Sequence, residues 1–332
     1  MPCCPLAPAP SSADGMAMAE MTYHRFGRTD LQLSRVGLGS GGPSRLGTSQ
    51  GADEASVEAL IGRAQDLGIN HIDTARAYGT EAAIGRALKR LDAPHMMVAT
   101  KVHWFDGNEP DDTSGGDRDP LDLVREVEAS LADLGRDHIE IFQFHAVLPD
   151  QLSYVVDRLL PVAHRLQQQG KIGHIGITED PSVDHRQQMA QAAVKSGYFD
   201  TLMVQYSILD QVADGDTFAA TQQHDVGVFC MSAARAAFTD TESLHVALQR
   251  FGDSEPALLE KLIDGGTVAD FAFRFAAAQS AIDVVLVGTG RQQHLRASTA
   301  AILSSPLPSD QLSWLRQRYG RADGHTLWLE WK

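Results

Sequence analysis

Four residues whose side chains can transfer or stabilise protons lie just past short apolar segments: Asp73, Tyr78, Lys101 and His145. The apolar segments span residues 69–72, 97–99 and 139–144, and Tyr78 follows Asp73 by one short loop. Such short apolar segments are typical of buried strands. Buried ionisable side chains are costly if they only support the fold. An acid, a phenol, an amine and an imidazole at successive strand ends therefore predict a catalytic site on one rim of a barrel.

The elements that must position these residues alternate regularly between strands and helices. The predicted strands span residues 36–38, 69–72, 97–101, 139–144, 172–177, 201–204, 226–229 and 282–287. The predicted helices span residues 53–67, 81–89, 120–134, 152–169, 183–196, 218–224, 268–278 and 293–303. A doubly wound open sheet would use similar elements, but no G-x-G-x-x-G motif opens the first helix. Eight units are what closure needs, so the pattern predicts an α/β fold, a (β/α)8 TIM barrel.

The segments outside this alternation have their own predictions. A β-hairpin over residues 23–26 and 31–35 precedes the barrel. Residues 1–20 are rich in Pro, Ala and Ser without apolar periodicity, so we expect a disordered tail ahead of a single domain over residues 21–332. Two loops, at residues 105–119 and 233–256, emerge on the predicted rim. Each either borders a substrate pocket or is a solvated surface loop.

Composition excludes several classes of partner. The formal net charge of −15 argues against binding to nucleic acid or to an anionic membrane surface. No apolar segment approaches the roughly 20 residues of a membrane-spanning helix, and the N-terminus lacks the pattern of a secretory signal. Cys3, Cys4 and Cys230 form neither a disulfide framework nor a metal-ligand pattern, and Cys230 is expected to be a small core residue. We therefore expect a cytoplasmic protein without a metal that acts on a small molecule; its oligomeric state is left open.

Several linked motifs resemble the signatures of the aldo-keto reductases. They are GINHIDTARAYG at residues 68–79, ATK at 99–101, QFH at 143–145 and GKIGHIG at 170–176. The resemblance runs in the family's order from about residue 23 to residue 303. It implies an (α/β)8 barrel and a nicotinamide cofactor that is bound without a Rossmann fold.

The resemblance also implies a role for each reactive residue. Reducing a carbonyl by hydride leaves an alkoxide, and a free phenol, with a pKa of about 10, donates a proton poorly at neutral pH. Lys101 beside Tyr78 is expected to lower the phenol pKa, and Asp73 to keep Lys101 charged and oriented. His145 is expected to hydrogen-bond the carbonyl oxygen. Trp104 is a candidate substrate contact, with simple packing as the alternative.

By the same resemblance, one group of residues should hold the nicotinamide end of the cofactor. Thr178 and Glu179 stand where the family usually has Ser-Asn, and Gln205 matches the other amide contact. An ionised Glu179 would only accept hydrogen bonds, so it could not donate to the amide oxygen. Met231 replaces the family's aromatic residue that stacks on the nicotinamide ring, and Ser232 keeps the hydroxyl that follows it.

A second group should hold the rest of the cofactor. The segment VGTGRQQHL at residues 287–295 resembles the family's adenosine-phosphate loop, which includes Gly288. Backbone N–H groups at a helix start favour phosphate. Arg291 could pair with a ribose 2′-phosphate, which favours NADP over NAD, or it could be a solvated surface arginine. Ser298 replaces the usual adenine-binding Asn, and Ser40, after the first barrel strand, is assigned to the same cofactor site.

Three functions remain open at this point. The first is an NADP-dependent oxidoreductase that reversibly reduces an aldehyde or ketone, with Tyr78 as the proton donor. The second is an NAD-preferring sugar or cyclic-alcohol dehydrogenase. The third is a cofactor-sensing regulatory barrel with little turnover, as in the potassium-channel β subunits of similar fold.

Overall fold

The chain forms a closed barrel of eight parallel strands that is preceded by an antiparallel hairpin. The computed structural model describes residues 19–105, 118–250, 259, 263 and 266–320. The hairpin strands are β1 (Tyr23–Arg25) and β2 (Gln32–Ser34). The barrel strands are β3 (Val36–Gly39), β4 (His71–Asp73), β5 (Met97–Val102), β6 (Ile139–Val147), β7 (Ile172–Glu179), β8 (Thr201–Gln205), β9 (Gly227–Met231) and β10 (Val284–Gly288). Because β10 pairs with both β9 and β3, the barrel closes, and the predicted fold class is confirmed.

Helices follow the strands and cover the outside of the barrel. They are α1 (Glu54–Asp66), α2 (Glu81–Arg90), α3 (Asp122–Leu134), α4 (Leu152–Tyr154), α5 (Leu160–Gln168), α6 (Gln188–Ser196), α7 (Asp216–His224), α8 (Thr241–Arg250), α9 (Val268–Ala277), α10 (Gln292–Leu303) and α11 (Ser309–Tyr319). A π-helical stretch, Val155–Leu159, joins α4 to α5. The larger of two hydrophobic clusters fills the space between the strands and these helices.

Two predictions about these segments were wrong, and one helix was not predicted. The helix predicted over residues 183–196 begins at Gln188, because Gln187 just before it has a left-handed backbone with φ 54°. The predicted loop at residues 233–256 contains a short 3-10 helix, Ala236–Phe238, and all of α8. Finally, α11 was not predicted, because only Leu315 and Tyr319 of its residues are buried and the apolar pattern is correspondingly weak.

The hairpin closes the end of the barrel at which the strands begin. Phe26 and Leu33 are buried and pack with Phe229 and Val284 in the smaller cluster, which lies inside the barrel. The rings of Phe26 and Phe229 have centroids 4.4 Å apart. Gly27 must be glycine here, because its φ is +52° and a Cβ would lie 2.1 Å from the Gly227 backbone nitrogen. The barrel is therefore open for chemistry at the opposite rim, where the strands end.

Some predictions concern residues beyond those that the structure describes. The predicted tail, with Cys3 and Cys4, falls on residues 1–20, of which only 19 and 20 are described. Residues 106–117 of one predicted rim loop and 251–256 of the other also lie outside the described residues. Within the described part of the chain, no helix is long and apolar enough to cross a membrane.

Candidate active site

Lys101 and Asp73 form a buried ion pair near the carboxyl ends of the barrel strands. Asp73 ends β4 and pairs in register with Ala99 of β5. Lys101 lies two residues after Ala99 on the same strand. The Lys101 Nζ donates to the Asp73 Oδ1 at 2.6 Å and to the Thr74 carbonyl oxygen at 2.9 Å. The side chains are 0% and 5% exposed. A buried charge is strongly destabilising unless it is paired and hydrogen-bonded, so each of the two residues needs the other.

The ion pair keeps Lys101 charged despite its burial. Burial by itself would lower the pKa of Lys101, but the charge of Asp73 and the hydrogen bonds to Asp73 and Tyr78 raise it. An ammonium group has three N–H donors, and Asp73 and Thr74 accept from two of them. Lys101 is therefore a fixed positive charge at neutral pH.

Tyr78 lies beside this charge on a short 3-10 turn, Arg76–Tyr78, that connects β4 to α2. The Lys101 Nζ is 5.1 Å from the centroid of the Tyr78 ring. Burial raises the pKa of Tyr78, while Lys101 lowers it, and burial has the larger effect. The expected lowering of the phenol pKa by Lys101 is thus present but outweighed. The phenol holds its proton at neutral pH, and Lys101 is close enough to stabilise a phenolate as it forms.

His145 completes the cluster from β6. Its ring meets the Tyr78 ring edge-on, with centroids 5.6 Å apart. Burial, followed by the nearby Lys101 and His103, holds the pKa of His145 well below its usual value. The imidazole is therefore neutral and has one N–H to donate. Its Nδ1 has no hydrogen-bond partner among the described residues, so the ring has capacity for a further contact.

A cavity of about 180 Å³ opens beside the cluster. Its walls include Asp73 and Tyr78 on one side and Met231 and Ser232, from the end of β9, with Gly288 from the end of β10. Five residues that the sequence assigned to catalysis or to cofactor binding thus line one cavity.

Glycines keep this cavity wide next to the phenol. Gly39 and Gly288 are register partners on β3 and β10, and both line the cavity. A Cβ on Gly41 would lie 2.6 Å from the Tyr78 ring, so any side chain there would displace the phenol. The ends of β3 and β10 therefore present backbone without side chains to the cavity.

Two non-glycine residues at the rim have left-handed backbones. Ala146, directly after His145, has φ 53°, and Ser232, directly after Met231, has φ 64°. Such conformations cost on the order of 1–3 kcal/mol and cluster at functional sites. The Ala146 N–H donates to the Thr178 Oγ1 at 2.7 Å, which holds this irregular part of β6 to β7.

Arg235 lines the same cavity and was not identified from the sequence. It is mostly buried, and burial lowers its pKa. Its charge lies near enough to Tyr78 to oppose the rise of the phenol pKa. A lone arginine after an apolar strand gave no signal in the sequence that could have found it.

Gln205 and Glu179, both predicted to contact the nicotinamide amide, make different hydrogen bonds. The Gln205 side chain donates to the Asp210 Oδ2 at 2.7 Å through its amide nitrogen. Glu179 instead accepts from the Gln205 backbone N–H at 2.5 Å and from the Gln187 amide at 3.3 Å. Glu179 is 2% exposed and is not among the residues that line the cavity. Burial raises the pKa of Glu179 well above its usual value, and Asp210, Asp184 and Asp180 raise it further.

Two other predicted site residues are directed away from the cavity. The Ser40 hydroxyl is buried and bonds to the Thr80 hydroxyl at 2.9 Å, although its neighbours Gly39 and Gly41 line the cavity. Trp104 is 2% exposed and packs in the hydrophobic core, with the Arg118 guanidinium 4.2 Å from its ring centroid. Neither side chain is among those that line the cavity.

The predicted adenosine-phosphate segment lies at the start of α10. Arg291 immediately precedes the helix and is exposed, and its backbone N–H donates to the Thr289 Oγ1 at 3.1 Å. Ser298 is buried on α10. Cys230 is buried on β9, and burial raises the pKa of its thiol to about 12, as expected of a core residue. Among the described residues, no three His, Cys, Asp or Glu side chains are arranged to hold a metal ion.

Comparisons with known proteins place the chain among relatives with this architecture. The model of the aldo/keto reductase family matches residues 35–319. An NADH-specific methylglyoxal reductase of Escherichia coli is 31% identical over 218 residues, 61% of this chain and 64% of that protein. L-galactose dehydrogenase of Arabidopsis thaliana is 31% identical over 170 residues, 49% of this chain and 50% of that protein. The holo form of an aldo-keto reductase from Bacillus halodurans has the same fold, with a TM-score of 0.73 at 24% identity, covering 91% of this chain and 97% of that one.

Proposed function

The chain belongs to the aldo/keto reductase family, whose members are NAD(P)-dependent oxidoreductases, and we propose that it reversibly reduces an aldehyde or ketone with Tyr78 as the proton donor. The observation that carries this proposal is the buried Asp73–Lys101 ion pair beside a protonated phenol on the wall of an open cavity. A buried ion pair is weak support for stability, whereas perturbed ionisable groups in a cavity are typical of active sites.

Each residue of the cluster has a separate task in this reaction. The bound nicotinamide supplies the hydride. His145, held neutral, donates an N–H to the carbonyl oxygen and orients it. Tyr78 then gives its Oη proton to the same oxygen as negative charge develops there. Lys101 stabilises the resulting phenolate, and Asp73 keeps Lys101 charged and in place.

Residues of the cavity fit a nicotinamide cofactor. The glycine-lined wall leaves room for a flat ring, and the Met231 side chain on the cavity wall can pack against one face of it. Gln205 does not line the cavity but is the register partner of Met231, which does, and the bond of its N–H to Asp210 orients its carbonyl oxygen as an acceptor for an amide N–H. Thr178 and Ser232 supply hydroxyl groups, and Gly288 leads into the segment that ends at Arg291.

We assign the cofactor preference to NADP because of Arg291, which is exposed at the start of α10. A guanidinium can bind a 2′-phosphate through two parallel hydrogen bonds that the hydroxyl of NAD cannot make. A preference for NAD is the second candidate, and the NADH-specific relative from Escherichia coli favours it. The relative named L-galactose dehydrogenase favours a sugar as substrate in that case.

A steady-state assay tests the proposal directly. Purified protein is combined with reduced NADP or NAD and a panel of aldehydes and ketones, and absorbance of the reduced nicotinamide is followed. The reverse reaction is followed with alcohols and the oxidised cofactors. The proposed function predicts turnover of at least one carbonyl, faster with NADP. Tight cofactor binding without turnover would contradict it and would favour a regulatory barrel.

A further inference from the structure

A buried glutamate connects the two elements that carry the proposed proton donor and its lysine. Glu81 is the first residue of α2 and is 2% exposed. Its Oε1 accepts from the Thr100 hydroxyl at 2.7 Å, and its Oε2 accepts from the Arg76 guanidinium at 2.8 Å. A carboxylate at the first turn of a helix is favoured by the helix dipole, but this one also uses both oxygens to bond other elements.

The two donors are neighbours of the reactive residues. Thr100 directly precedes Lys101 on β5, and successive side chains of a strand point to opposite faces. Thr100 therefore faces the helices while Lys101 faces the barrel interior. Arg76 begins the short turn that ends at Tyr78. A single carboxylate thus spans from the lysine strand to the tyrosine turn.

Arg76 extends this connection to the helix layer. Its guanidinium donates to Asp133 at 2.5 Å and lies 3.7 Å from Glu126, both on α3. The turn that carries Tyr78 is therefore held from outside the barrel by α2 and α3 together. Of these three carboxylates, only Glu81 also bonds to the strand that carries Lys101.

We propose that Glu81 is a positioning residue that fixes the Tyr78 phenol relative to the Lys101 ammonium. The proposal rests on the proposed role of Tyr78 as proton donor. Proton transfer and stabilisation of the phenolate depend steeply on this geometry, and a displacement of about 1 Å can lower a rate about a hundredfold. Glu81 touches neither substrate nor cofactor, so its removal should change the catalytic step and leave binding unaffected.

The first test is Glu81→Gln, with Glu140→Gln as a matched control. Gln carries no charge, so its bond to Arg76 is weaker, and its amide nitrogen can only donate, so the Thr100 hydroxyl must either become the acceptor or lose its partner. Glu140 also accepts from an arginine, Arg136, at 3.0 Å and from β5, through the Val98 N–H at 2.7 Å. Its contact to β5 lies three residues before Lys101, away from the tyrosine turn.

We expect kcat to fall about ten- to a hundredfold in Glu81→Gln, while KM and the Kd for the cofactor stay unchanged. In Glu140→Gln we expect lower stability but an unchanged kcat. Equal kcat values for the two folded variants would overturn the proposal.

A second variant separates positioning from stability. Glu81→Met removes both hydrogen bonds and leaves the buried Thr100 hydroxyl without its acceptor. Adding Thr100→Val removes that hydroxyl, and replacing both partners by apolar groups can be nearly neutral for stability. The double variant should therefore melt at a higher temperature than Glu81→Met but keep its low kcat. Recovery of kcat together with stability would mean that Glu81 is only structural.

Hydrogen exchange provides a readout that does not depend on turnover. Amides of residues 74–80 should exchange about tenfold faster in Glu81→Gln than in the wild type, and at the wild-type rate in Glu140→Gln. If the wild type turns over no substrate, the proposed function fails, and this measurement alone decides whether Glu81 holds the turn. Unchanged exchange in Glu81→Gln would overturn the proposal in either case.

Discussion

Replacing Glu179 by glutamine is expected to stabilise the protein at neutral pH. The carboxyl group is buried at the end of β7, and its Oε2 has no hydrogen-bond partner among the described residues. Burial and the nearby Asp210, Asp184 and Asp180 raise its pKa well above the usual value of 4.5. The folded protein therefore holds a proton on Glu179 at pH values where the unfolded chain has lost it.

The sign and size of the effect follow from this difference in proton binding. Where the folded state binds more protons than the unfolded state, the free energy of unfolding falls as pH rises. That loss begins near pH 4.5 and continues until the folded carboxyl ionises. Each pH unit in this window contributes about 1.4 kcal/mol. Between pH 4.5 and pH 7 the free energy of unfolding can fall by at most about 3.4 kcal/mol. This maximum is reached only if Glu179 of the folded protein stays protonated throughout.

Glutamine avoids this loss because it carries no titratable proton. Its oxygen can accept from the Gln205 N–H, as the Glu179 Oε1 does. We expect Glu179→Gln to raise the free energy of unfolding by about 1–3 kcal/mol at pH 7 and to change it little at pH 4. Urea unfolding of both proteins across this pH range measures the difference. Glu128→Gln, at an exposed ion pair with Lys171, is the control and should change stability by well under 1 kcal/mol. A loss of stability at pH 7, or a gain that does not depend on pH, would refute the reasoning.

Three further predictions concern single residues. Lys101→Met should remove most turnover while calorimetry shows nearly unchanged cofactor binding, and loss of binding with a normal kcat would reject the assigned role. Arg291→Ala should weaken NADP binding about ten- to a hundredfold and barely affect NAD, since hydrogen bonds to charged groups contribute about 1.5–3 kcal/mol; an unchanged NADP/NAD ratio would favour the NAD-dependent alternative. Cys230 should resist thiol alkylation in the folded protein, because burial raises its pKa to about 12. Rapid alkylation of Cys230, detected by mass spectrometry, would contradict this prediction.

The strand ends were predictable because short apolar segments mark them, and a closed barrel places their next residues on one rim. That logic gave the Asp73–Lys101 pair and the nearby Tyr78 without any coordinates. It could not show that burial outweighs Lys101 in setting the phenol pKa, since burial depends on the whole fold.

Side-chain direction was harder to predict than position along the chain. Glu179 follows the expected motif, yet its carboxyl is held by Gln205 and Gln187, from neighbouring elements, and not on the cavity wall. Trp104 lies three residues beyond Lys101 and packs into the core beneath Arg118. Arg235 reaches the cavity from a segment without a recognisable motif. Each outcome depends on partners far away in the sequence, which local patterns do not reveal.

The most direct test of the proposed chemistry is the rate of Tyr78→Phe. This change removes only the phenol hydroxyl, so the fold and the Kd for the cofactor should be preserved. Single-turnover reduction of a carbonyl, followed by loss of the reduced nicotinamide absorbance, reports the catalytic step itself. If Tyr78 donates the proton, the rate should fall by roughly a hundredfold or more, the range of general-acid catalysis. A folded Tyr78→Phe protein that binds cofactor normally and keeps most of the wild-type rate would contradict the proposal.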